Sequence, residues 1–248
     1  MTRAARVALL APALAGFAAL LVWSVVDLPS FGATSSPYAA FARHAAAVER
    51  HAANTVGGVV FDVRSLDTMI EEFILFAAAS GIALLLRTAR EEEAERAEDT
   101  GEGESLKLYG IGGVAALIML GLYVVAHGYV SPGGGFQGGV ILSAAAGMVF
   151  LASSFRAFRA VTPDRLVEGA ESLGVIAWPA LGLALLAGGS AFLENVLPHG
   201  TIGSLASAGT IPLLNAATGV AVAASFTLIA VEFLDELMSE RARAEDGG

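Results

Sequence analysis

Six long apolar stretches set the main limit on how this chain can fold. Each reaches the roughly 18 apolar residues that can cross a bilayer, and they run over about Val7–Val26, Met69–Leu86, Leu108–Ala126, Gly138–Phe155, Leu173–Leu193 and Ile211–Leu234. A backbone in lipid must satisfy its own hydrogen bonds, which restricts such stretches to helices. The sequence therefore predicts an all-α integral membrane protein with six transmembrane helices.

Composition excludes several classes of function. Only 15% of the residues are charged, whereas soluble domains carry about a quarter. The chain has no cysteine, which excludes disulfides and cysteine-ligated metals or clusters. The net charge is −10, and no basic patch suits nucleic acid. We therefore expect a lipid bilayer as the surroundings, no nucleic-acid partner, no metal and no cofactor.

The first apolar stretch is expected to be a retained helix. Arg3 and Arg6 precede it, as in a signal peptide. The apolar core of a signal peptide has about 7–15 residues, however, and this stretch is longer.

Lysine and arginine in the loops predict the orientation. With six spans both termini lie on one side, which holds eleven of the fourteen cations: Arg3, Arg6, Arg87, Arg90, Arg96, Lys107, Arg156, Arg159, Arg165, Arg241 and Arg243. The other side holds three, Arg43, Arg50 and Arg64. This asymmetry predicts cytoplasmic termini.

An acidic segment between the second and third spans divides the chain. Residues 87–107 hold eight acids against four cations, as expected of a solvated linker; a cation-collecting surface is the alternative. We predict a two-helix module at 1–88, a cytoplasmic linker at 89–104, a four-helix domain at 105–240 and a polar tail at 241–248.

A glycine-rich joint connects two of the spans. It consists of Ser131, Pro132, Gly133, Gly134, Gly135, Phe136, Gln137, Gly138 and Gly139. Its Gly-x-Gly-x-x-Gly spacing lacks the strand and βαβ unit of a dinucleotide site. Glycine permits tight turns and close helix approach, so the joint predicts packing geometry; contact of exposed carbonyls with an ion is the alternative.

Carboxylates at the start of the second span are candidates for ion exchange. Asp67 and Glu71 share a helix face, and Glu72 follows. An acid entering an apolar helix is costly and is therefore a functional candidate, since a carboxylate takes up either a proton or Na⁺. The alternative is that Asp67 and Thr68 cap the helix, with the two glutamates favoured by its dipole.

Three further ion-path candidates lie near the ends of other spans: His127, Glu194 and Glu232. Each has an alternative interpretation as an ordinary interface residue. No arrangement of side chains indicates a hydrolytic or redox enzyme.

Three segments together resemble the MnhB-type subunit of the Mrp-type multisubunit monovalent cation/proton antiporters. They are the joint Ser131–Gly139, Leu197-Pro-His-Gly-Thr-Ile-Gly203 and Ser207-Ala-Gly-Thr-Ile-Pro-Leu-Leu-Asn215. The resemblance covers about residues 105–240. Related proteins occur in membrane-bound hydrogenases and complex-I-like assemblies.

The first module resembles a different component of these antiporters. Val59–Glu71 is similar to a segment near the C-terminal end of their large A-type subunits, and Glu71 falls on the glutamate of that family. Where the MnhB-type family carries a histidine before Ser-Pro, this chain has Tyr129, so a proton role for that histidine does not transfer.

The resemblance implies a non-catalytic subunit of a Na⁺/H⁺ antiporter in a prokaryotic cytoplasmic membrane. Its partners would be subunits of the A, C, D, E, F and G types, and its cargo Na⁺ and H⁺. Glu71 would be the leading exchange carboxylate, tuned by Asp67. A purely structural subunit and a subunit of a hydrogenase or complex-I-like pump are the alternatives.

Overall fold

The computed structural model describes residues 3–26, 28, 36–90 and 104–246. All regular structure in these ranges is helical, as predicted. The α-helices are α1 (Arg3–Val26), α2 (Pro37–His44), α3 (Thr55–Gly58), α4 (Ser65–Arg90), α5 (Glu104–Ala126), α6 (Gly135–Ala152), α7 (Phe155–Val161), α8 (Asp164–Ala187) and α9 (Ile211–Asp246). Two π-helical turns, Ala45–Glu49 and Val59–Val63, follow α2 and α3.

Four helices in the described ranges are long and apolar enough to cross a membrane. These segments are Ser65–Arg87, Gly135–Ala152, Asp164–Ala187 and Ile211–Arg241. Shorter apolar segments lie at Leu14–Val26 in α1 and Gly112–Ala126 in α5. Most of each predicted stretch thus lies on a helix, but the fourth and fifth stretches run past the ends of α6 and α8, and the count of six full spans is not confirmed. Most of the acidic linker, residues 91–103, lies outside the described residues.

The fifth apolar helix begins earlier in the chain than predicted. This helix, α8, starts at Asp164 rather than near Leu173, and it ends at Ala187 before a Gly188 cap. Hydropathy stops at charged residues, whereas the folded chain provides partners for the acids in the first turns of α8. The predicted fourth span is shifted in the same direction, since α6 begins at Gly135 and ends at Ala152.

The chain divides into two compact units, residues 1–40 and 41–248. The first unit consists of α1 and the start of α2. In the second unit α9 is the central helix, because α4, α5, α6 and α8 all pack against it. The division thus falls within α2, and α4 belongs to the same unit as the helices of the predicted 105–240 domain.

The two ends of the second unit differ in character. At one end, here called the glycine end, the joint meets the start of α9 through a hydrogen bond from Gly135 N to Asn215 Oδ1. At the other, the arginine end, Arg87 from α4 bonds Glu232 in α9. A core cluster lies near the glycine end, where the rings of Phe61 and Trp178 stack 6.0 Å apart.

Candidate functional site

The glycine joint is a tight turn packed inside the chain. Gly133 and Gly134 have φ angles of +155° and +147°, which residues other than glycine rarely adopt. A Cβ on Gly135 would lie 2.8 Å from the Gly219 nitrogen in α9, and one on Gly138 would lie 2.8 Å from the Gly121 oxygen in α5. The glycines therefore allow α5, α6 and α9 to approach closely.

Two asparagine side chains fix this joint. Asn215, 1% exposed, donates from Nδ2 to the Val125 carbonyl (2.5 Å) and accepts from the Gly135 N–H (2.7 Å). Asn54 donates to the carbonyls of Gly128 (2.7 Å) and Ser131 (3.1 Å). The first N–H groups of a helix lack partners within it, so Asn215 satisfies the start of α6.

The acids of α4 point in different directions. Asp67 and Glu71 are exposed, while Glu72 is 1% exposed. Asp67 forms an ion pair with Arg64. Because α4 begins at Ser65, Asp67 lies within its first turn, and the interpretation of Asp67 and Thr68 as capping residues is wrong. The Thr68 hydroxyl instead donates to the Val60 carbonyl at 2.7 Å.

Glu72 lies against α9. The Thr218 hydroxyl is beside its carboxyl but outside normal hydrogen-bond geometry, so neither carboxyl oxygen has a hydrogen-bond partner among the described residues. Thr218 accepts a hydrogen bond from Trp178 Nε1 at 3.3 Å. Trp178 and Thr218 are fully buried and Glu72 is 1% exposed, so the Glu72 carboxyl is shielded from solvent.

Three more acids, Glu168 and Glu171 of α8 and Glu232 of α9, lie further along the bundle. Glu171 in α8 is 2% exposed and accepts a hydrogen bond from the Ser225 hydroxyl at 2.6 Å. Arg87 then joins α4 to both neighbours, with bonds to Glu232 (2.7 Å) and Glu168 (2.5 Å). The Glu232 candidate is thus held in an ion pair at the arginine end.

A second arginine closes the same end of the bundle. Arg159 in α7 bonds Asp164 at 2.8 and 3.1 Å, and its Nε lies 3.9 Å from Asp235 Oδ1. The hydrogen bonds from Arg159 to Asp164 are the main cause that raises the pKa of Arg159 above its ordinary value.

Sequence reasoning missed Glu171, the Ser225 hydroxyl bonded to it and the Thr218 hydroxyl beside Glu72. A usable signal was present, because Thr218, Ser225, Glu232 and Ser239 recur at every seventh residue of α9. Such a spacing places side chains on one stripe of a helix. All four are buried, and this set is called the polar stripe below.

The remaining candidates have local contacts. His127 stacks on Tyr123 with ring centroids 4.1 Å apart, and Glu194 is exposed and accepts from the Ala191 N–H at 2.7 Å. Tyr129 donates its hydroxyl to the Leu205 carbonyl at 2.5 Å, and burial raises its pKa. Within the described ranges no group of three or more His, Asp or Glu is placed to hold a metal ion.

Comparison with known proteins identifies the family. Residues 106–228 match a domain related to the MnhB subunit of the Na⁺/H⁺ antiporter. The chain is also 30% identical over 204 residues to an uncharacterized protein of Methanocaldococcus jannaschii, which covers 71% of this chain and 75% of that protein. The chain therefore contains an MnhB-related domain in its C-terminal part and belongs to one family with the archaeal protein. With its apolar helices, it is a multi-pass membrane protein.

Two solved structures resemble the MnhB-related chain. One is a chain of the membrane-bound sulfane sulfur reductase, an archaeal respiratory membrane complex, with 27% identity, a TM-score of 0.72, and coverage of 96% of this chain and 99% of that one. The other is a chain of the Mrp complex from Dietzia sp. DQ12-45-1b, with 21% identity and a TM-score of 0.69. That match covers 94% of this chain and 26% of the Dietzia chain, and it establishes a common fold.

Proposed function

We propose that this chain is a membrane subunit of a multisubunit Na⁺/H⁺ antiporter, where it helps to assemble the complex and borders the cation path. The MnhB-related domain at 106–228 supports this role. The reductase match covers 96% of this chain and 99% of that chain, which supports an N-terminal module joined to an MnhB-type domain in one polypeptide.

The position of Glu71 carries the proposal. This carboxylate lies in the second turn of a membrane-spanning helix and is exposed in the single chain. Its neighbours on the same helix are exposed apolar side chains, with Ile70 at 52% and Ile74 at 64%. An acid facing lipid is costly, and intramembrane acids normally face protein or a water-filled cavity. The Glu71 face of α4 therefore borders another subunit and the path between them.

A carboxylate in that place has suitable chemistry for antiport. It binds Na⁺ or a proton, but its single charge favours one cation at a time. Asp67 lies one turn earlier on the same face and adds negative charge, which its ion pair with Arg64 partly offsets. We assign Glu71 as the exchange group and Asp67 as the residue that tunes its affinity.

Replacement of Glu71 by glutamine tests the assignment. We expect Glu71→Gln to assemble normally on blue-native gels but to abolish Na⁺-dependent proton movement in inverted membrane vesicles. Glu49→Gln, in the π-turn after α2, is the control and keeps full antiport. Normal antiport in Glu71→Gln contradicts the exchange role.

A redox-driven complex is the second candidate, and the 27% identity to a chain of the sulfane sulfur reductase favours it. Purification of the native complex separates the two. Subunits of the A, C, D, E, F and G types without a redox centre support the antiporter, whereas copurifying redox subunits support the alternative. A purely structural role predicts that no single acid substitution changes ion movement.

The proposed setting is a prokaryotic cytoplasmic membrane, with both termini in the cytoplasm. In that orientation the glycine end faces outward and the arginine end inward. Cysteine labelling by a membrane-impermeant maleimide tests this placement: Leu197→Cys in intact cells is expected to react, and Glu240→Cys is not.

A further inference from the structure

We propose that this chain carries a proton path of its own, which runs between α4, α8 and α9 through Glu72, Glu171 and Glu232. The inference rests on the antiporter role proposed above and assigns the proton to this chain's interior. The Glu71 site keeps the metal cation at the chain's surface. Two neighbouring glutamates thereby serve two different ions.

The first observation is the alignment of three buried carboxyls along α9. Glu72 lies beside Thr218, Glu171 accepts from Ser225 at 2.6 Å, and Glu232 belongs to α9 itself. Each is at most 2% exposed. Because their contacts on α9 are seven residues apart, successive levels are separated by about 10 Å. Together they extend from the second turn of α4 to the arginine end.

The second observation is that two of these acids, Glu72 and Glu171, have no cationic partner among the described residues, whereas Glu232 is paired with Arg87. Neither oxygen of Glu72 has a hydrogen-bond partner among the described residues, and Glu171 is held by a hydroxyl without an arginine. An ionised carboxylate without a partner is very costly in an apolar interior. A structural role would be served better by an apolar residue, so these acids point to the uptake and release of a cation.

The number of ligands selects the cation. Hard metal ions in proteins take about six oxygen ligands, whereas a proton needs one oxygen. The Glu171 level offers one carboxyl and one serine hydroxyl, and helical backbone carbonyls are already engaged in the helix. These levels therefore suit a proton and not Na⁺.

Both ends of the path reach exposed groups. At one end Glu72 directly follows the exposed Glu71. At the other, Arg87 joins Glu232 to Glu168, whose side chain is 44% exposed. Each step relays one proton from a carboxyl oxygen along a chain of several waters to the next carboxyl, because one bridging water is too short for levels about 10 Å apart. No other bond changes.

Adjacent placement of Glu71 and Glu72 also accounts for coupling. The two carboxyls carry like charges on neighbouring residues and repel each other when both are ionised. A cation bound at Glu71 removes that repulsion and favours release of the proton from Glu72. Exchange of one ion for the other follows from this arrangement.

Replacement of Glu171 tests the path, because Glu171 lies away from the Glu71 site and glutamine keeps its size and its bond to Ser225. In proteoliposomes containing the whole complex, we expect Glu171→Gln to lower Na⁺-driven proton movement by at least about tenfold. Exchange of ²²Na⁺ for Na⁺ at equal pH, which needs no proton, should stay near the wild-type rate. Thr227→Val, on α9 outside the polar stripe, should change neither.

Unchanged antiport in Glu171→Gln, or an equal loss of both activities in an assembled complex, overturns the proton path. A second measurement does not depend on the transported ion. A membrane-soluble carbodiimide modifies protonated carboxyls in apolar surroundings, so mass spectrometry should find adducts at Glu72 and Glu171 but not at Glu232, which is paired with Arg87.

Absence of adducts at both Glu72 and Glu171 overturns the path even if the complex is a Na⁺/H⁺ antiporter. Conversely, a wild-type complex without Na⁺-dependent proton movement refutes the proposed function, while the labelling result still decides whether these carboxyls hold protons.

Discussion

Removal of the Asn215 amide is expected to destabilise the glycine end more than any exposed substitution on α9. The side chain is 1% exposed and makes two hydrogen bonds, to the Val125 carbonyl and from the Gly135 N–H. In Asn215→Ala the Val125 carbonyl keeps the bond it receives from Gly128 N at 3.2 Å. The Gly135 N–H, at the start of α6, loses its partner.

The size of the effect follows from these two bonds. Each lost hydrogen bond costs about 1 kcal/mol, and a buried N–H left without a partner costs about 1–3 kcal/mol. Hydrogen bonds between helices inside membranes average only about 0.6 kcal/mol, but the buried N–H decides here. We expect Asn215→Ala to lower the free energy of unfolding by about 2–4 kcal/mol.

Unfolding by SDS in mixed micelles measures these values through tryptophan fluorescence. The chain has two tryptophans, so Trp23→Phe leaves the buried Trp178, near the start of α9, as the reporter. Leu213→Ala, at a residue 54% exposed, is the control. If Asn215→Ala and Leu213→Ala unfold within about 0.5 kcal/mol of each other, the reasoning about the start of α6 is refuted.

Two further predictions concern the same end of the bundle. Burial raises the pKa of Tyr129, so the folded chain holds that proton more tightly than the unfolded chain, and the stability of the fold decreases as pH rises above about 10. Tyr129→Phe should reduce this alkaline loss of stability in a pH series of melting temperatures. An unchanged loss in the variant would assign it to other groups. Gly135→Ala places a Cβ 2.8 Å from the Gly219 nitrogen, whereas Gly147 has no atom within 4 Å of such a Cβ. Gly135→Ala should therefore cost about 1–3 kcal/mol or more, and Gly147→Ala should be neutral or stabilising; equal effects on SDS unfolding contradict the close approach.

The helices could be predicted from the sequence because apolar length alone identifies a stretch that must be helical in lipid. The ends of these helices could not be predicted as well. Hydropathy places the start of the fifth span at Leu173, but α8 includes Asp164, Glu168 and Glu171. These acids are tolerated because Arg159, Arg87 and Ser225 contact them, and those partners lie far away in the sequence or on another helix.

The burial of the candidate acids was also impossible to predict from the sequence. Neighbouring residues of a helix point about 100° apart, so Glu71 and Glu72 cannot face the same surroundings. Which of them is buried depends on where α9 packs, and no local pattern near residue 71 records that. The seven-residue spacing of the polar stripe can be seen in the sequence. Its role cannot be predicted from the sequence, because it depends on which acids of α4 and α8 pack against it.

The central position of α9 has a consequence for biosynthesis. It follows α4 and α8 in the chain, yet it supplies the groups beside Glu72, Glu171 and Arg87. Until α9 leaves the ribosome, those helices carry polar side chains whose insertion costs about 2.5–3.5 kcal/mol each at the middle of a lone helix. We therefore expect the insertion machinery to retain the earlier helices until α9 arrives. A chain that stops short of α9 would display acids within the bilayer without the partners that α9 supplies, and we expect it to be less stable there.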